Sequence, residues 1–281
     1  MRTIGIVGQG FVGTAANEGM KNHFTVETYD KYKDSTCNSL EELVEKTKYI
    51  FVCLPTPSNK DGSANIDLVE ETVLMIDNLS QEGTIAIIKS TVPPKTTETL
   101  NSKCRKIFVV FNPEFLTEVN FLDDFKNQNR IIIGGPRPAS TKVKNIFSKV
   151  FPAIPIIKTS STIAEMMKYV INTFLATKVS FANEIKMICD AIDIDYDKVI
   201  EYAKYDERMG ESHWNVPGPD GHLGFGGSCF PKDIKALISF AQWTGVNPKV
   251  LDAAWNTNLK VRPEKDWEKL VGRSVVGDKE Q

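Results

Sequence analysis

The decapeptide Gly224-Phe225-Gly226-Gly227-Ser228-Cys229-Phe230-Pro231-Lys232-Asp233 holds the parts of a thiol nucleophile. A glycine-rich loop runs into a cysteine. The apolar spacing of Ile234, Leu237, Ile238 and Ala241 then predicts a helix. Pro231 suits a first helical position, where its missing N–H costs nothing. Cys229 is therefore expected just before a helix N-terminus, whose positive dipole end, with Lys232 nearby, favours a thiolate. The glycines let backbone approach a ligand closely. The competing reading is a buried cysteine packed as a small hydrophobe after a turn. Other parts of the chain decide between the two.

The first such part is Gly8-Gln9-Gly10-Phe11-Val12-Gly13, a G-x-G-x-x-G that follows the apolar run Thr3 to Val7. The first glycine allows a tight turn, the second admits a pyrophosphate, and the third lets helix pack on strand. The pyrophosphate would lie at the helix N-terminus. A second strand, Thr25 to Tyr29, ends at Asp30, 17 residues after Gly13. That spacing fits a carboxylate that binds the adenosine ribose. Asp30 repels a 2′-phosphate, which favours NAD over NADP, and Lys31 beside it weakens that preference.

The elements that must position these residues alternate. Strands are expected at Tyr49 to Leu54, Thr84 to Ile88, Phe108 to Phe111 and Arg130 to Ile133, with helices at Leu40 to Thr47 and Ile66 to Leu79. This order predicts an α/β fold, a Rossmann-like doubly wound parallel sheet, over residues 1–160. Loops starting at Pro55, Ser90 and Asn112 follow strands, at the edge where such sheets bind ligands. A mostly α-helical domain is expected over 161–281. Thr162-x-x-Glu165 reads as a capping box. The spacing of Ile163, Met166, Met167, Val170, Phe174, Phe181, Ile185 and Ile188 then predicts one helix of about thirty residues, roughly 45 Å long. Such a helix links the two halves and offers a dimer surface. Lys168 and Asn172 share one face of it. Helices are also expected at Tyr196 to Lys204 and Pro248 to Leu259, and the loop Glu211 to Leu223 between them is long enough to suggest a function.

Composition narrows the class. The chain has 281 residues, 41% hydrophobic and 25% charged, with a formal net charge of −2, so nothing points to nucleic acid or an anionic membrane. No apolar run reaches membrane-spanning length, and the N-terminus lacks a signal-peptide pattern. Five cysteines at wide spacing, with no C-x-x-C, argue against a disulfide framework and for a reducing cytoplasm. Three histidines form no H-x-x-x-H pair, and no metal is expected.

Taken in order, Gly8–Gly13, Pro55-Thr56-Pro57, Ser90-Thr91-Val92, Asn112-Pro113-Glu114-Phe115-Leu116-x-Glu118, Lys168-Tyr169-x-x-Asn172, Asn183-Glu184 and Gly224–Asp233 resemble the UDP-glucose/GDP-mannose dehydrogenases. The likeness runs from residue 1 to about 260. It implies a double oxidation of a nucleotide-sugar primary alcohol to a carboxylate, with NAD as acceptor. By the same resemblance Cys229 is the nucleophile, forming a thiohemiacetal and then a thioester. Lys168 and Asn172 stabilise oxyanions, Asp233 lies one turn after the nucleophile, and Glu118, near the hydride-transfer site, assists proton movement or positions water. Glu114 and Thr91 order substrate and water. Gly8, Gly10, Phe11, Val12, Gly13, Asp30, Thr56, Ser90, Thr91, Glu118 and Lys232 contact the cofactor. Glu114, Phe115, Leu116, Lys168, Asn172, Phe225, Gly226 and Gly227 bind the sugar, and Arg208 serves the neighbouring subunit's substrate in a homodimer.

The chemistry is coherent without the likeness, since an acyl-thiol intermediate reacts readily with water and a lysine and an amide suit developing oxygen charge. The likeness also implies a further C-terminal α/β unit that grips the nucleotide. Leu270 to Val276 resembles the start of its first strand, and Trp214 and its neighbours are expected to replace some of its contacts. Val119 stands where the family carries glycine. Two alternatives remain: a single-step NAD-dependent hydroxy-acid dehydrogenase, which needs no nucleophilic cysteine, and a catalytically silent NAD-binding relative.

Overall fold

A computed structural model describes residues 3–277; the outer ends of the two expected domains, residues 1–2 and 278–281, lie outside them. The chain divides into two compact units: Met1–Thr56 with Ile66–Lys168, and Pro57–Asn65 with Tyr169–Gln281.

The first unit is built on strands β1 (Thr3–Val7), β2 (Thr25–Tyr29), β3 (Tyr49–Val52), β4 (Thr84–Ile88), β5 (Ile107–Phe111), β6 (Ile131–Gly134) and β7 (Ile156–Thr159). They form one sheet in the order β2-β1-β3-β4-β5-β6-β7. The short apolar runs are strands because their side chains alternate between two cores. Ile4, Ile6, Phe51, Ile85 and Ile87 face one layer; Val7, Ile50, Val52, Ala86 and Ile88 face the other. Each such buried Val, Ile or Phe side chain contributes roughly 1.5–3 kcal/mol. Helices α1 (Phe11–Met20), α2 (Leu40–Lys46), α3 (Asp67–Leu79), α4 (Thr96–Lys103), α5 (Phe121–Lys126) and α6 (Ala139–Val150) connect the strands.

The expected parallel sheet holds from β2 to β5, and β6 departs from it by pairing antiparallel with β5 through Phe111 and Gly134. Its physical reason is the connection. The stretch 112–130 contains only the short α5 and does not cross back over the sheet, so β6 starts at the edge where β5 ended. All of 112–130 thereby stays near the carboxyl ends of the strands. That edge is continuous: Gly8 N–H donates to Tyr29 O at 2.8 Å, Cys53 N–H to Val7 O at 2.8 Å, Lys89 N–H to Val52 O at 2.9 Å and Asn112 N–H to Ile88 O at 2.8 Å.

The long helix α7 runs Ser161–Ala191, 31 residues, and supplies its first turns to the first unit. The capping box at its start does not form. Ser160 Oγ accepts the Ile163 N–H at 3.3 Å. Glu165, fully buried, instead accepts the N–H groups of Lys95 at 2.7 Å and Thr97 at 2.8 Å, at the start of α4. Burial raises its pKa, and those backbone donors oppose the rise.

The second unit holds the rest of α7, α8 (Tyr196–Ala203), a 3-10 turn at Glu207–Met209, α9 (Cys229–Trp243) and α10 (Lys249–Val261). On α7, Val170, Phe174, Phe181 and Ile188 form an exposed apolar stripe. Trp214 is not a surface residue. It is 5% exposed, its Nε1–H donates to Gly210 O at 2.8 Å, its carbonyl accepts the Tyr196 hydroxyl at 2.6 Å, and its ring lies edge-on to Phe181. It is core, which removes it from the expected nucleotide contacts. Leu270 to Val276 makes a turn at Gly272 and pairs with Ser58, through Ser58 N–H to Ser274 O at 2.8 Å and Val276 N–H to Ser58 O at 3.0 Å. It is thus tied into this unit, whatever its likeness to another strand. Among the described residues no helix is long and apolar enough to cross a membrane, and no group of three His, Cys, Asp or Glu side chains is placed to hold a metal ion.

Candidate active site

In the first unit β1 lies between β2 and β3, so the strand order reverses there, and ligands bind at such a point beyond the carboxyl ends. The glycine loop sits at that point. Gly8 has φ +89°, and a Cβ on it would meet Cys53 O at 2.5 Å. A Cβ on Gly13 would lie 1.9 Å from Gly8 O. Gly10 differs, since a Cβ there would meet nothing within 4 Å. Two glycines serve packing, and the third leaves an open face at the N-terminus of α1, where Phe11 and Val12 begin the helix. This is a cradle that fits a dinucleotide pyrophosphate.

Asp30 stands at the end of β2. Its oxygens accept the N–H groups of Gln9 at 2.6 Å and Tyr32 at 2.9 Å, which fix the carboxylate beside the cradle. Lys33 Nζ donates to Gln9 O at 2.7 Å, a second cation near Asp30 that the motif did not reveal. Thr56 Oγ1 donates to Thr91 O at 2.8 Å, and Ser90 Oγ both accepts from Leu54 N–H at 2.9 Å and donates to Leu54 O at 2.7 Å. The expected cofactor contacts Thr56, Ser90 and Thr91 therefore tie the loops after β3 and β4 together.

The loop after β5 carries Glu114, Phe115, Leu116 and Glu118. Lys168 Nζ, on α7, donates to Glu114 O at 2.6 Å and to Glu114 Oε1 at 3.1 Å, and both side chains are buried. The other Glu114 oxygen accepts the Leu116 N–H at 2.7 Å. Lys168 also lies 5.3 Å from the Phe115 ring centroid, with the Arg130 guanidinium 4.5 Å from it. Glu118 is half-buried on the same loop. A buried ammonium held by one carboxylate is suited to donate to oxygen on which charge develops.

In the second unit α9 begins at Cys229 itself, so Pro231 lies in the first turn rather than at its first position. Cys229 is half-buried, with its Sγ 3.8 Å from Ser228 Oγ. Asp233, 1% exposed, accepts the Asn172 Nδ2–H at 2.6 Å on one oxygen and the Lys232 ammonium at 2.5 Å on the other. Lys232, an expected cofactor contact, is paired within the protein. Arg208 is 90% exposed at its side chain and pairs with Asp206.

The glycine loop before Cys229 is clamped by Asn183, which the motif series includes, and by residues that no motif marks. Asn258, fully buried, accepts the Phe225 N–H at 2.7 Å and donates to Phe225 O at 3.0 Å. Asn183 accepts the Gly224 N–H at 3.1 Å, and Asp266 the Gly227 N–H at 3.0 Å. Arg262 ties Asp266, at 2.6 Å, to Asp220, at 2.7 Å. A Cβ on Gly226 would meet Arg262 at 2.3 Å, whereas Gly227, at φ +69°, is open. Phe225 packs its ring near Phe230 and Trp255. It supports the loop from the core side. Asn258 lies in the last turn of α10 and Arg262 caps its C-terminus.

The chain is similar to several dehydrogenases over these elements. UDP-glucose 6-dehydrogenase TuaD of Bacillus subtilis (strain 168) is 34% identical over 232 residues, 80% of this chain and 49% of the relative. The structure of a UDP-glucose dehydrogenase from the archaeon Pyrobaculum islandicum superposes with a TM-score of 0.85 at 29% identity, covering 96% of this chain and 70% of that one. A Mycobacterium tuberculosis 3-hydroxyisobutyrate dehydrogenase shares the fold alone, with a TM-score of 0.77 at 15% identity, over 94% of this chain and 95% of that one. The chain spans about half the length of the curated relatives it matches. Residues 25–153 match the NAD binding domain of the UDP-glucose/GDP-mannose dehydrogenase family and residues 162–260 match that family's central domain. With the dinucleotide cradle in one unit and the cysteine-bearing glycine loop in the other, the chain belongs to the UDP-glucose/GDP-mannose dehydrogenase family and carries its NAD-binding domain.

Proposed function

We propose that this chain is an NAD-dependent nucleotide-sugar 6-dehydrogenase that oxidises UDP-glucose to UDP-glucuronate. The observation that carries the reading is Cys229 at the first position of α9, behind a clamped glycine loop, on a chain that matches the family's NAD-binding and central domains. NAD, when bound, accepts a hydride in each of the two oxidations.

The protein's own residues do the rest. The first oxidation turns the C6 alcohol into an aldehyde and releases the hydroxyl proton, and Glu118 and Thr91 order the groups that receive it. Cys229 Sγ, as thiolate, then adds to the aldehyde carbon, and Lys168 and Asn172 donate hydrogen bonds to the oxygen that becomes negative. Loss of the second hydride from that carbon leaves a thioester. Water attacks the thioester carbon, the C–S bond breaks, the thiolate returns and a carboxylate leaves. Overall the alcohol, one water and two NAD give the carboxylate, two NADH and three protons. Asp233 holds Lys232 and Asn172 one turn behind the nucleophile, and Arg208 is the arginine supplied to a second protomer. The stripe Val170, Phe174, Phe181 and Ile188 on α7 is the surface through which the homodimer forms, since an apolar stripe of that kind is unfavourable in water.

NADH released per UDP-glucose consumed tests the reading. Two per sugar, with acid product identified by mass, supports it. One per substrate, on a hydroxy acid rather than a nucleotide sugar, supports the single-step alternative. A Cys229→Ser variant that still releases acid product at the normal rate would exclude the covalent route.

A further inference from the structure

Lys89 directly follows β4 and has no part in the chemistry above, yet its ammonium is buried, at 4% exposure. Burying an ammonium costs several kcal/mol unless its donors are well placed. Here they are. Nζ donates to Asn112 Oδ1 at 2.8 Å and to Asn112 O at 3.4 Å, and lies 5.9 Å from the Phe147 ring centroid. Asn112 passes the tie on, donating Nδ2–H to Ile132 O at 2.7 Å. β5 and β6 share the backbone register pair Phe111 and Gly134, so this side-chain relay reinforces the place where the sheet reverses.

Two residues along, Glu114 does for Lys168 what Asn112 does for Lys89. Each gives one backbone carbonyl and one side-chain oxygen to one buried ammonium. Pro113 stands between them, and its ring fixes one of the two soft torsions it would otherwise have. The direction in which Asn112 leaves the sheet is therefore passed to Glu114 with little slack. The charged and titratable groups that face Lys89 are Cys53, Glu114 and Lys168. Burial pushes the Lys89 pKa down, Cys53 and Glu114 oppose that, and Lys168 adds to it.

We propose that Lys89 is a positioning residue for the Glu114–Lys168 pair: through Asn112 it sets where the loop after β5 leaves the sheet, and so where the Lys168 ammonium is held. This rests on the reading of Lys168 as the donor to developing oxygen charge. The contrasting possibility is a pin for the sheet alone, which would matter for stability and for nothing else.

Lys89→Met keeps the stem and removes the donors. Two readouts decide, both taken at a temperature where circular dichroism shows the variant folded. The first is steady-state oxidation of UDP-glucose with NAD. The second is hydrogen exchange of the Leu116 amide, which donates to Glu114 Oε2. We expect kcat to fall about tenfold or more with KM changed less than about threefold, since misplacement acts on the transition state rather than on uniform binding. Leu116 exchange should rise about tenfold, a loss of roughly 1.4 kcal/mol of local protection, while amides inside β4 keep theirs. Lys89→Arg keeps the charge, and should recover part of both. Wild-type kcat and Leu116 exchange in a folded Lys89→Met would overturn the proposal, and so would exchange that rises equally across β4 and β5. If the wild-type protein oxidises no nucleotide sugar, the functional reading falls and Leu116 exchange alone decides the positioning role. If Lys89→Met does not fold, Lys89→Gln, which removes the charge and shortens the reach to Asn112, is read by the same two measurements, and wild-type values in both would overturn the proposal.

Discussion

Asn172 donates its side-chain N–H to Asp233 Oδ2 at 2.6 Å, and this bond ties α7 to the first turn of α9, four residues after Cys229. The second Asp233 oxygen takes Lys232 at 2.5 Å, and side-chain exposures of 13% and 2% leave that ion pair little water. Removing one partner of a buried pair strands the other. Asp233→Ala should cost roughly 3–5 kcal/mol in a urea melt, and Asp233→Asn, which keeps one acceptor oxygen and so leaves only one of the two donors without a partner, less. A wild-type midpoint for Asp233→Ala would remove the pair from the structural account.

The three glycines of the first loop should separate into two phenotypes. Gly10 has φ −68°, which alanine adopts freely, and open space where a Cβ would go. Gly10→Ala should therefore stay within about 0.5 kcal/mol of wild-type stability, while its NAD Kd rises about tenfold or more as the methyl meets the pyrophosphate. Gly13→Ala places a methyl 1.9 Å from Gly8 O and should lose about 1–3 kcal/mol of stability. Calorimetric titration with NAD beside thermal melts reads both. Equal effects of the two changes on stability would contradict this division of labour.

β1 to β6, the glycine loop, α2, α3 and α7 to α10 are legible in the sequence because each is locally consistent: apolar runs of strand length, a motif at a strand-to-helix turn, and helical apolar periods. The remaining elements are harder for particular reasons. α4, Thr96–Lys103, buries Leu100 as its one large apolar residue and carries no helical stripe. β7, Ile156–Thr159, is four residues of half-buried edge. No helix was expected over α6, although Val143, Ile146 and Phe147 have helical spacing and are buried. The Thr162–Glu165 box failed because a tertiary partner, the start of α4, outcompeted the local one for the carboxylate. In the site, Cys229 and Lys168 announce themselves by motif. Asn258, Arg262 and Asp266 do not, because a side chain that satisfies a distant backbone group has no local pattern.

Asn258 is the strongest case of such hidden support. It meets both backbone groups of Phe225 from a fully buried position. Asn258→Ala leaves a buried donor and a buried acceptor without partners, which costs roughly 1–3 kcal/mol apiece. The loop into Cys229 should loosen with it. Alkylation of Cys229 by iodoacetamide, followed by mass spectrometry at a temperature where the variant remains folded, should become faster than in the wild type, while NAD Kd stays unchanged. A change in NAD affinity with no change in alkylation would place the role of Asn258 elsewhere.

Glu165 gives the pH prediction. Its carboxyl is fully buried, and burial lifts its pKa above the ordinary value of 4.5, with the donors from Thr97 and Lys95 opposing the lift and Glu98 adding to it. Between 4.5 and the raised native value the folded protein binds more protons at this site than the unfolded chain does. Stability must therefore fall as pH rises through that window, and be highest, for this group, below it. Glu165→Gln cannot titrate. It keeps one acceptor, so one of the Lys95 and Thr97 N–H groups loses its partner, at a roughly constant cost of about 1–3 kcal/mol. Denaturant melts of both proteins across mildly acidic pH should then show the wild type's advantage over Glu165→Gln shrinking as pH rises. A difference that grows with pH would mean that the two backbone donors outweigh burial and that the carboxylate is the form the fold prefers.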